Sequence, residues 1–192
     1  MTTRRLIDDV EVFFEQGLYI PTRTVYMGEI EEGGTDHVMA ERVIKRLHVL
    51  DAKADTPITV LMNNSGGDEY HGLAIYDAIL GCKNHITVTA FGHAMSMGSI
   101  IMQAADDRVM APNARMLIHY GTWGQSEQHC KINYAWAEEG KAFDRWMVDM
   151  YLAKIREKHP RYKRTDLDEK LNFDTFLTAT ETVALGLADR IL

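Results

Sequence analysis

The sequence of 192 residues contains only two cysteines and four prolines, and its net charge is −7. Two cysteines are too few for a disulfide scaffold, and Cys82 and Cys130 lack the spacing of a metal site. Both are predicted to be ordinary reduced thiols. The negative charge argues against a general affinity for nucleic acid, which depends on a basic surface that releases counterions.

Long apolar runs are also missing from the chain. No stretch approaches the roughly 18–20 apolar residues that a bilayer-spanning helix requires, so no membrane association is expected. The start carries Arg4 and Arg5 but continues into acidic residues rather than into the apolar stretch of a secretory signal. The sequence therefore predicts a cytoplasmic protein.

Apolar residues make up 46% of the chain and charged residues 26%, the balance of a globular domain. Strand-like and helix-like patterns alternate, which predicts a layered α/β fold. The predicted strands are 24–27, 58–62, 86–90, a short one around Val109, 116–118 and 189–192. Five helices are predicted. The first is capped by Thr35 or Asp36, and the second has Leu73, Tyr76 and Leu80 on one face and ends near Gly81. The other three are 96–105, 129–159 and 179–187.

Residues 64–68 (Asn-Ser-Gly-Gly-Asp) lie between a predicted strand and a predicted helix. Adjacent glycines permit positive φ and a close approach of the backbone to a ligand. Free N–H groups at a helix start suit a phosphate or a developing oxyanion. A plain tight turn is an equally good interpretation of Gly66 and Gly67.

Residues 92–99 (Gly-His-Ala-Met-Ser-Met-Gly-Ser) place Ser96 where a strand leads into a helix, as in a nucleophile elbow. The segment does not match the G-x-S-x-G pattern, and an N-cap serine is the alternative interpretation of Ser96. Ser99 is the competing nucleophile. It lies one turn inside the helix, where a hydroxyl usually bonds back to a carbonyl.

His119 closes the apolar strand 116–118 and is the candidate base, although a lone histidine in such a place is more often a core residue. The remaining histidines are scattered and form no H-E-x-x-H motif, so no metal site is predicted. A serine nucleophile needs a base, and the base needs an acceptor that orients it. With 28 aspartates and glutamates, local patterns do not select that acceptor.

Four segments together resemble the Clp protease proteolytic subunit (ClpP) family of serine peptidases, from about Arg23 to Leu192. The family's Asn-Ser-Pro-Gly-Gly corresponds to residues 63–67, its Gly-Gln-Ala-Ala-Ser-Met-Gly to 92–98, its Pro-Asn-Ser-Arg-x-Met-Ile-His to 112–119 and its Asp-x-Phe-Leu-(Ser/Thr)-Ala to 174–179. The resemblance implies an α/β crotonase-like fold of repeated β-β-α layers. It also implies an N-terminal docking segment, 1–22, and one peptidase domain, 23–192, whose "handle" helix protrudes from about 120–160.

The resemblance assigns Ser96 as nucleophile, His119 as general base and acid, and Asp174 as the third member of the triad. It places the oxyanion hole at the backbone N–H groups of Gly67 and Met97. The substrate-binding residues that it implies are Gly66, Asp68, Tyr120, Gly121, Thr122 and Trp123, with residues 120–125 as a strand that pairs with a peptide. It implies no metal and no organic cofactor.

The implied partners are a peptide or unfolded protein as substrate, further copies of the chain in heptameric rings, and an AAA+ unfoldase. Phe173 replaces an arginine that pairs two rings in the family, so the number of rings is left open. Thr59 and Leu61 replace tyrosines of the unfoldase-docking pocket. Around the site, Ser65 and His93 replace the family's proline and glutamine, and Tyr120-Gly121 replaces Gln-Pro.

Two other classes of function remain as alternatives. One is a catalytically silent ring partner, which would have no need for an intact triad. The other is a crotonase-like acyl-CoA enzyme, which also uses a backbone oxyanion hole but not the Ser-His-Asp set. A virus-encoded processing protease would fit the altered docking residues.

Overall fold

A largely parallel β-sheet forms the centre of the computed structural model, which describes residues 8–28, 34–122 and 129–192. The strands are β1 (Leu18–Tyr19), β2 (Thr24–Gly28), β3 (Ile58–Asn64), β4 (Ile86–Met95), β5 (Asp107–Met110), β6 (Arg115–Ile118), β7 (Thr175–Thr178) and β8 (Arg190–Ile191). The helices are α1 (Asp9–Gln16), α2 (His37–Lys53), α3 (Glu69–Leu80), α4 (Met97–Met102), α5 (Cys130–Lys158), α6 (Arg164–Leu171) and α7 (Ala179–Leu185).

The strand order is β1-β2-β3-β4-β5-β8, with β2 to β8 parallel and β1 joined to β2 as an antiparallel hairpin. Strand β4 pairs with two strands on the same edge: residues 87–90 pair with β5, and residues 93–95 pair with β6. Strand β6 in turn pairs with β7 in antiparallel fashion. The ends of β3, β4 and β6 therefore meet at one edge of the sheet, where parallel strands bring their carboxyl ends together.

Side-chain burial and hydrogen bonding explain why β3 and α2 form where they do. Strand β3 buries every second residue, so one of its faces is packed in the core, and the strand continues two residues beyond its predicted end. The carboxylate of Asp36 accepts a hydrogen bond of 2.8 Å from the N–H of Met39, which makes Asp36 rather than Thr35 the N-cap of α2. The buried stripe of α2 has helical spacing: Met39, Ala40, Val43, Leu47 and Leu50.

Helix α5 begins and ends within one residue of the prediction. Its buried positions start at Gly140, and its first ten residues bury no side chain. Apolar residues with helical spacing continue into this exposed start, where Ile132 and Trp136 remain 46% and 49% exposed. The C-terminal half of the helix packs on the core through residues such as Met147 and Ile155. The start of the helix is largely exposed and contacts α3 through the rings of Trp136 and Tyr70.

The predicted face of α3 contacts the core through Leu73 and Tyr76, but it is not the most deeply buried face of the helix. Its buried residues are Gly72, Ile75 and Ile79, and Leu80 is 58% exposed. The reason is a tertiary contact: the helix packs closely on Met97, and a Cβ at Gly72 would collide with the Met97 side chain. A glycine carries no hydrophobic signal in the sequence, so this face could not be found from apolar spacing.

Four elements were not predicted: α1, β1, α6 and β7. Helix α6 is mostly charged and buries only Leu167 and Leu171, so its periodic signal is weak. Helix α4 is shorter than its prediction, ending at Met102. In the described residues, no helix combines the length and the apolarity that crossing a membrane would require.

Candidate active site

Ser96 stands between β4 and α4 in an unusual backbone conformation. Its φ is 50° and its ψ −121°, and among the described non-glycine residues only Arg23 shares a positive φ. Such a conformation costs on the order of 1–3 kcal/mol and persists where the surrounding structure enforces it. Ser96 occupies the N-cap position of α4, but its side chain makes no capping hydrogen bond. The hydroxyl is instead directed at His119.

The chain of polar contacts runs from Ser96 through His119 to Asp174. The Oγ of Ser96 lies 2.8 Å from Nε2 of His119. The Nδ1 of His119 lies 2.9 Å from Oδ1 of Asp174. Because a carboxylate can only accept, Nδ1 carries the proton, and Nε2 is left to accept from the serine hydroxyl.

The β6–β7 ladder brings His119 and Asp174 together. Ile118 pairs with Thr175 at the end of this antiparallel ladder. The next residue on β6 is His119 and the preceding residue on β7 is Asp174, so the two lie opposite each other just beyond the last pair. Ser96 is joined to β6 through the neighbouring β4–β6 pairing, since its N–H donates to the carbonyl of Leu117 at 2.9 Å.

The carboxylate of Asp174 is open to solvent, with its side chain 64% exposed, whereas that of His119 is 22% exposed. Water screens the attraction between an exposed carboxylate and an imidazolium. The contribution that this geometry supports most directly is orientation of the imidazole ring through the Nδ1 hydrogen bond.

Beside Ser96, two backbone N–H groups make no hydrogen bond to any of the described residues: those of Gly67 and Met97. Thr35 and Gly67 form an isolated parallel bridge, in which the N–H of Thr35 donates to Gly66 and the N–H of Asp68 donates to Thr35. Alternate groups of an extended strand point in opposite directions, so the N–H of Gly67 faces away from this bridge. The N–H of Met97, the first residue of α4, has no partner within the helix.

Gly66 and Gly67 are required sterically as well as by their positive φ values of 104° and 139°. A Cβ at Gly66 would lie 2.6 Å from the Cβ of Ser96. A Cβ at Gly67 would lie 2.5 Å from the carbonyl oxygen of Thr35. The glycine pair therefore lets one strand end lie directly against the serine turn, which a plain tight turn would not require.

Sequence reasoning missed Asn64, which organises this turn. Its side chain is fully buried, and its Oδ1 accepts from the N–H of Gly66 at 2.9 Å and from the hydroxyl of Thr35 at 3.1 Å. Asn64 looked like an ordinary turn residue in the sequence. The available signal was a polar residue at a position that continues the buried alternation of β3.

Ser99, the competing nucleophile, is engaged elsewhere. Its hydroxyl donates to the carbonyl of Ser96 at 2.6 Å, which confirms the predicted bond back to a carbonyl. It also lies 2.5 Å from the hydroxyl of Tyr151, whose pKa is raised by burial. Helix α5 is thereby tied to α4, next to the serine turn.

The predicted substrate-binding residues differ in their surroundings. The carboxylate of Asp68 caps α3 by accepting from the N–H of His71 at 2.9 Å. The hydroxyl of Tyr120 donates to Asp168 at 2.9 Å, and burial together with this bond raises the pKa of Tyr120 to about 12. The side chain of Tyr120 is therefore held by α6. Gly121 and Thr122 are exposed, and Trp123 lies outside the described residues.

A solved structure with the same architecture defines the class of protein. The structure of a ClpP1 point mutant from Listeria monocytogenes matches with a TM-score of 0.76 and 26% identity, covering 90% of this chain and 92% of that one. This is the crotonase-like fold of a serine endopeptidase. A protein-family model described as Clp protease matches residues 21–192. The chain belongs to the Clp protease family.

Two curated relatives agree with this assignment. The ATP-dependent Clp protease proteolytic subunit of Deinococcus radiodurans is 31% identical over 157 residues, which is 80% of this chain and 74% of that protein. The ATP-dependent Clp protease proteolytic subunit 2 of Pseudomonas aeruginosa is 30% identical over 162 residues, or 83% of this chain and 78% of that protein. The predicted family and fold class are confirmed.

Proposed function

We propose that Ser96, His119 and Asp174 are the catalytic triad of this serine endopeptidase. The observation that carries the proposal is the unbroken chain of hydrogen bonds, 2.8 Å from Ser96 to His119 and 2.9 Å from His119 to Asp174. Ser99, the competing nucleophile, is instead bonded to a carbonyl and to Tyr151.

In the proposed reaction, Oγ of Ser96 attacks the scissile carbonyl while Nε2 of His119 removes its proton. The imidazolium then gives this proton to the leaving amine, and the peptide bond breaks to leave an acyl-enzyme on Ser96. A water molecule, deprotonated by His119, attacks the ester and releases the second product. Asp174 holds the ring in the required tautomer throughout.

The N–H groups of Gly67 and Met97 form the proposed oxyanion hole. Both residues belong to segments that contact Ser96. Met97 follows Ser96 in the chain, and Gly67 follows Gly66, which packs against the Cβ of Ser96. Preorganised donors of this kind stabilise the tetrahedral oxyanion, and loss of one typically costs about 10²–10³ in rate. The substrate backbone is proposed to pair with Gly66 and Asp68 on one side and with residues 120–125, including Trp123, on the other.

The chain is proposed to act as the proteolytic subunit of a cytoplasmic compartmental protease. We expect heptameric rings with the active sites inside, a domain 23–192 that follows a docking segment 1–22, and an AAA+ unfoldase that delivers unfolded proteins. The exposed start of α5, with Ile132, Tyr134 and Trp136, is apolar enough to form subunit contacts.

The experiment is labelling of the purified protein with a fluorophosphonate probe, combined with hydrolysis of a short fluorogenic peptide. Labelling and hydrolysis should both be lost in Ser96→Ala, and labelling should persist in the matched variant Ser99→Ala. Labelling that survives Ser96→Ala would contradict the assignment of the nucleophile. Assembled rings that neither label nor hydrolyse would indicate a silent ring partner, and binding of a CoA thioester would indicate an acyl-CoA enzyme.

A further inference from the structure

A cleft of about 600 Å³ lies between α1, β2 and α2. Its apolar walls are Phe13 and Phe14 on α1, Tyr26 on β2, and Val38 and Met39 on α2. Two arginines of α2, Arg42 and Arg46, also line it. Small-molecule sites in proteins have volumes of about 300–1,000 Å³. The cleft is therefore large enough for a ligand, and it places positive charge between apolar walls.

The residues of the proposed active site do not contribute to this cleft. The described residues that line it include none of Ser96, His119 and Asp174. They also include neither Thr59 nor Leu61, the two positions compared above with an unfoldase-docking pocket. A ligand in the cleft would therefore be bound without contact to the triad.

Arg46 has few partners for a buried cation. Only 9% of the residue is exposed, and its one hydrogen bond to the described residues runs from Nη1 to the carbonyl oxygen of Tyr26 at 3.1 Å. None of the carboxylates in the described ranges forms an ion pair with Arg46. Burial, followed by the charge of Arg42, lowers the pKa of Arg46 to about 10, as expected for a cation removed from water without a counterion.

Arg42 adds to this positive charge. It lies one helical turn before Arg46, and like charges at positions i and i+4 of a helix repel each other. Two carboxylates also line the cleft, but that of Asp36 caps α2 by accepting from the N–H of Met39, and Glu15 pairs with neither arginine in the described structure. A chain of net charge −7 thus keeps two unpaired arginines at an apolar cleft.

We propose that this cleft binds the carboxylate of an acyl chain of medium length, with the carboxylate on Arg46 and Arg42 and the chain between α1 and α2. A buried charge is costly unless it is paired, and an anionic ligand would supply the missing partner. The site is additional to the peptidase site, and its existence does not depend on the proposed function.

The cleft matches both parts of such a ligand. The guanidinium of Arg46 has a planar fork of donors that suits a carboxylate, and such charge-assisted hydrogen bonds are stronger than neutral ones. An acyl chain would pack on Phe13, Val38 and Met39 and remove apolar surface from water. Helix α1 buries none of its own residues, so it has apolar surface that a bound chain would cover. A small inorganic anion would leave these walls uncovered.

The test measures binding of decanoate to the purified protein by calorimetry, below the concentration at which decanoate forms micelles, together with thermal unfolding. Decanoate should bind and raise the midpoint of unfolding. Decanol, which has the same chain without the charge, should bind at least about tenfold more weakly. Arg46→Met should weaken the affinity for decanoate about 10- to 100-fold, and Arg42→Gln should weaken it several-fold. Without ligand, Arg46→Met should be at least as stable as the wild type, because it removes an unpaired buried charge and keeps an apolar side chain.

Lys53→Gln is the matched control, because it removes one positive charge from an exposed position of the same helix. It should leave the affinity for decanoate unchanged. The inference would be overturned if the wild type does not bind decanoate, as when a neighbouring copy fills the cleft. Equal affinity for decanol, or unchanged binding by folded Arg46→Met, would also overturn it. An apolar peptide with a free C-terminal carboxylate that binds more tightly than decanoate would overturn the assignment of an acyl chain.

Discussion

Replacement of Gly66 by alanine tests whether the glycine turn positions Ser96, the proposed nucleophile. The added Cβ would lie 2.6 Å from the Cβ of Ser96, 2.9 Å from the carbonyl oxygen of Met95 and 3.1 Å from the amide nitrogen of Met97. Carbon atoms in contact are about 3.5–4.0 Å apart, so the serine turn has to move by roughly 1 Å. A displacement of that size costs about 10² in rate.

The variant should also be less stable, because the φ of 104° at Gly66 is strained for any residue that has a Cβ. We would measure kcat/KM with a short peptide, the rate of fluorophosphonate labelling, and unfolding by denaturant. Gly81→Ala serves as a control. Gly81 has an ordinary helical φ of −78° and lies at the end of α3, the helix that follows the glycine turn. If folded Gly66→Ala keeps kcat/KM within about threefold of the wild type, the steric reasoning is wrong.

Three further predictions concern other parts of the molecule. Asp174→Asn should reduce kcat by about 10²–10⁴, near the lower end because the carboxylate is exposed, as measured by steady-state kinetics. Alkylation at neutral pH should modify exposed Cys130 quickly and Cys82 slowly, since burial raises the pKa of Cys82 to about 11; rapid modification persisting in Cys130→Ser would refute this. The pKa of Asp189 is lowered by Arg108 despite the opposing effect of burial, so its contribution to stability is present above the unfolded pKa of about 3.9 and is lost as pH falls through the folded pKa. Asp189→Asn should therefore show a smaller loss of the free energy of unfolding on acidification, measured by denaturant titrations at several pH values.

Helices and strands were predictable from the sequence where nearby residues, such as an apolar run or a capping side chain, determine them. The apolar strand β3, a cap of α2 at Thr35 or Asp36 and the length of α5 all depend on local chemistry, and the structure contains each of them, with Asp36 as the cap. The buried face of α3 was not predictable, because it is decided by a glycine that fits against Met97. Packing between distant segments overrides apolar spacing in such cases.

In the candidate site, too, some residues could be found from local sequence patterns and others only from contacts between distant segments. Ser96 and His119 stand at strand ends that local patterns mark as unusual. Asp174 has no such mark, because its place is set by the antiparallel register of β6 and β7 rather than by its neighbours in the chain. The bonds made by buried Asn64 depend on the fold in the same sense, since its partner Thr35 lies 29 residues away.

The β6–β7 ladder has a consequence for the time at which activity appears. Asp174 lies 55 positions after the histidine that it contacts, and its place is set by β7, which follows it directly. Contacts between such distant segments require closure of a long loop and form late in folding. A growing polypeptide that already contains Ser96 and His119 but not yet Asp174 and β7 therefore lacks part of the proposed triad. The proposed site is complete only after β7 has been synthesised and docked, so a copy that still lacks β7 has no competent site with which to cut its neighbours.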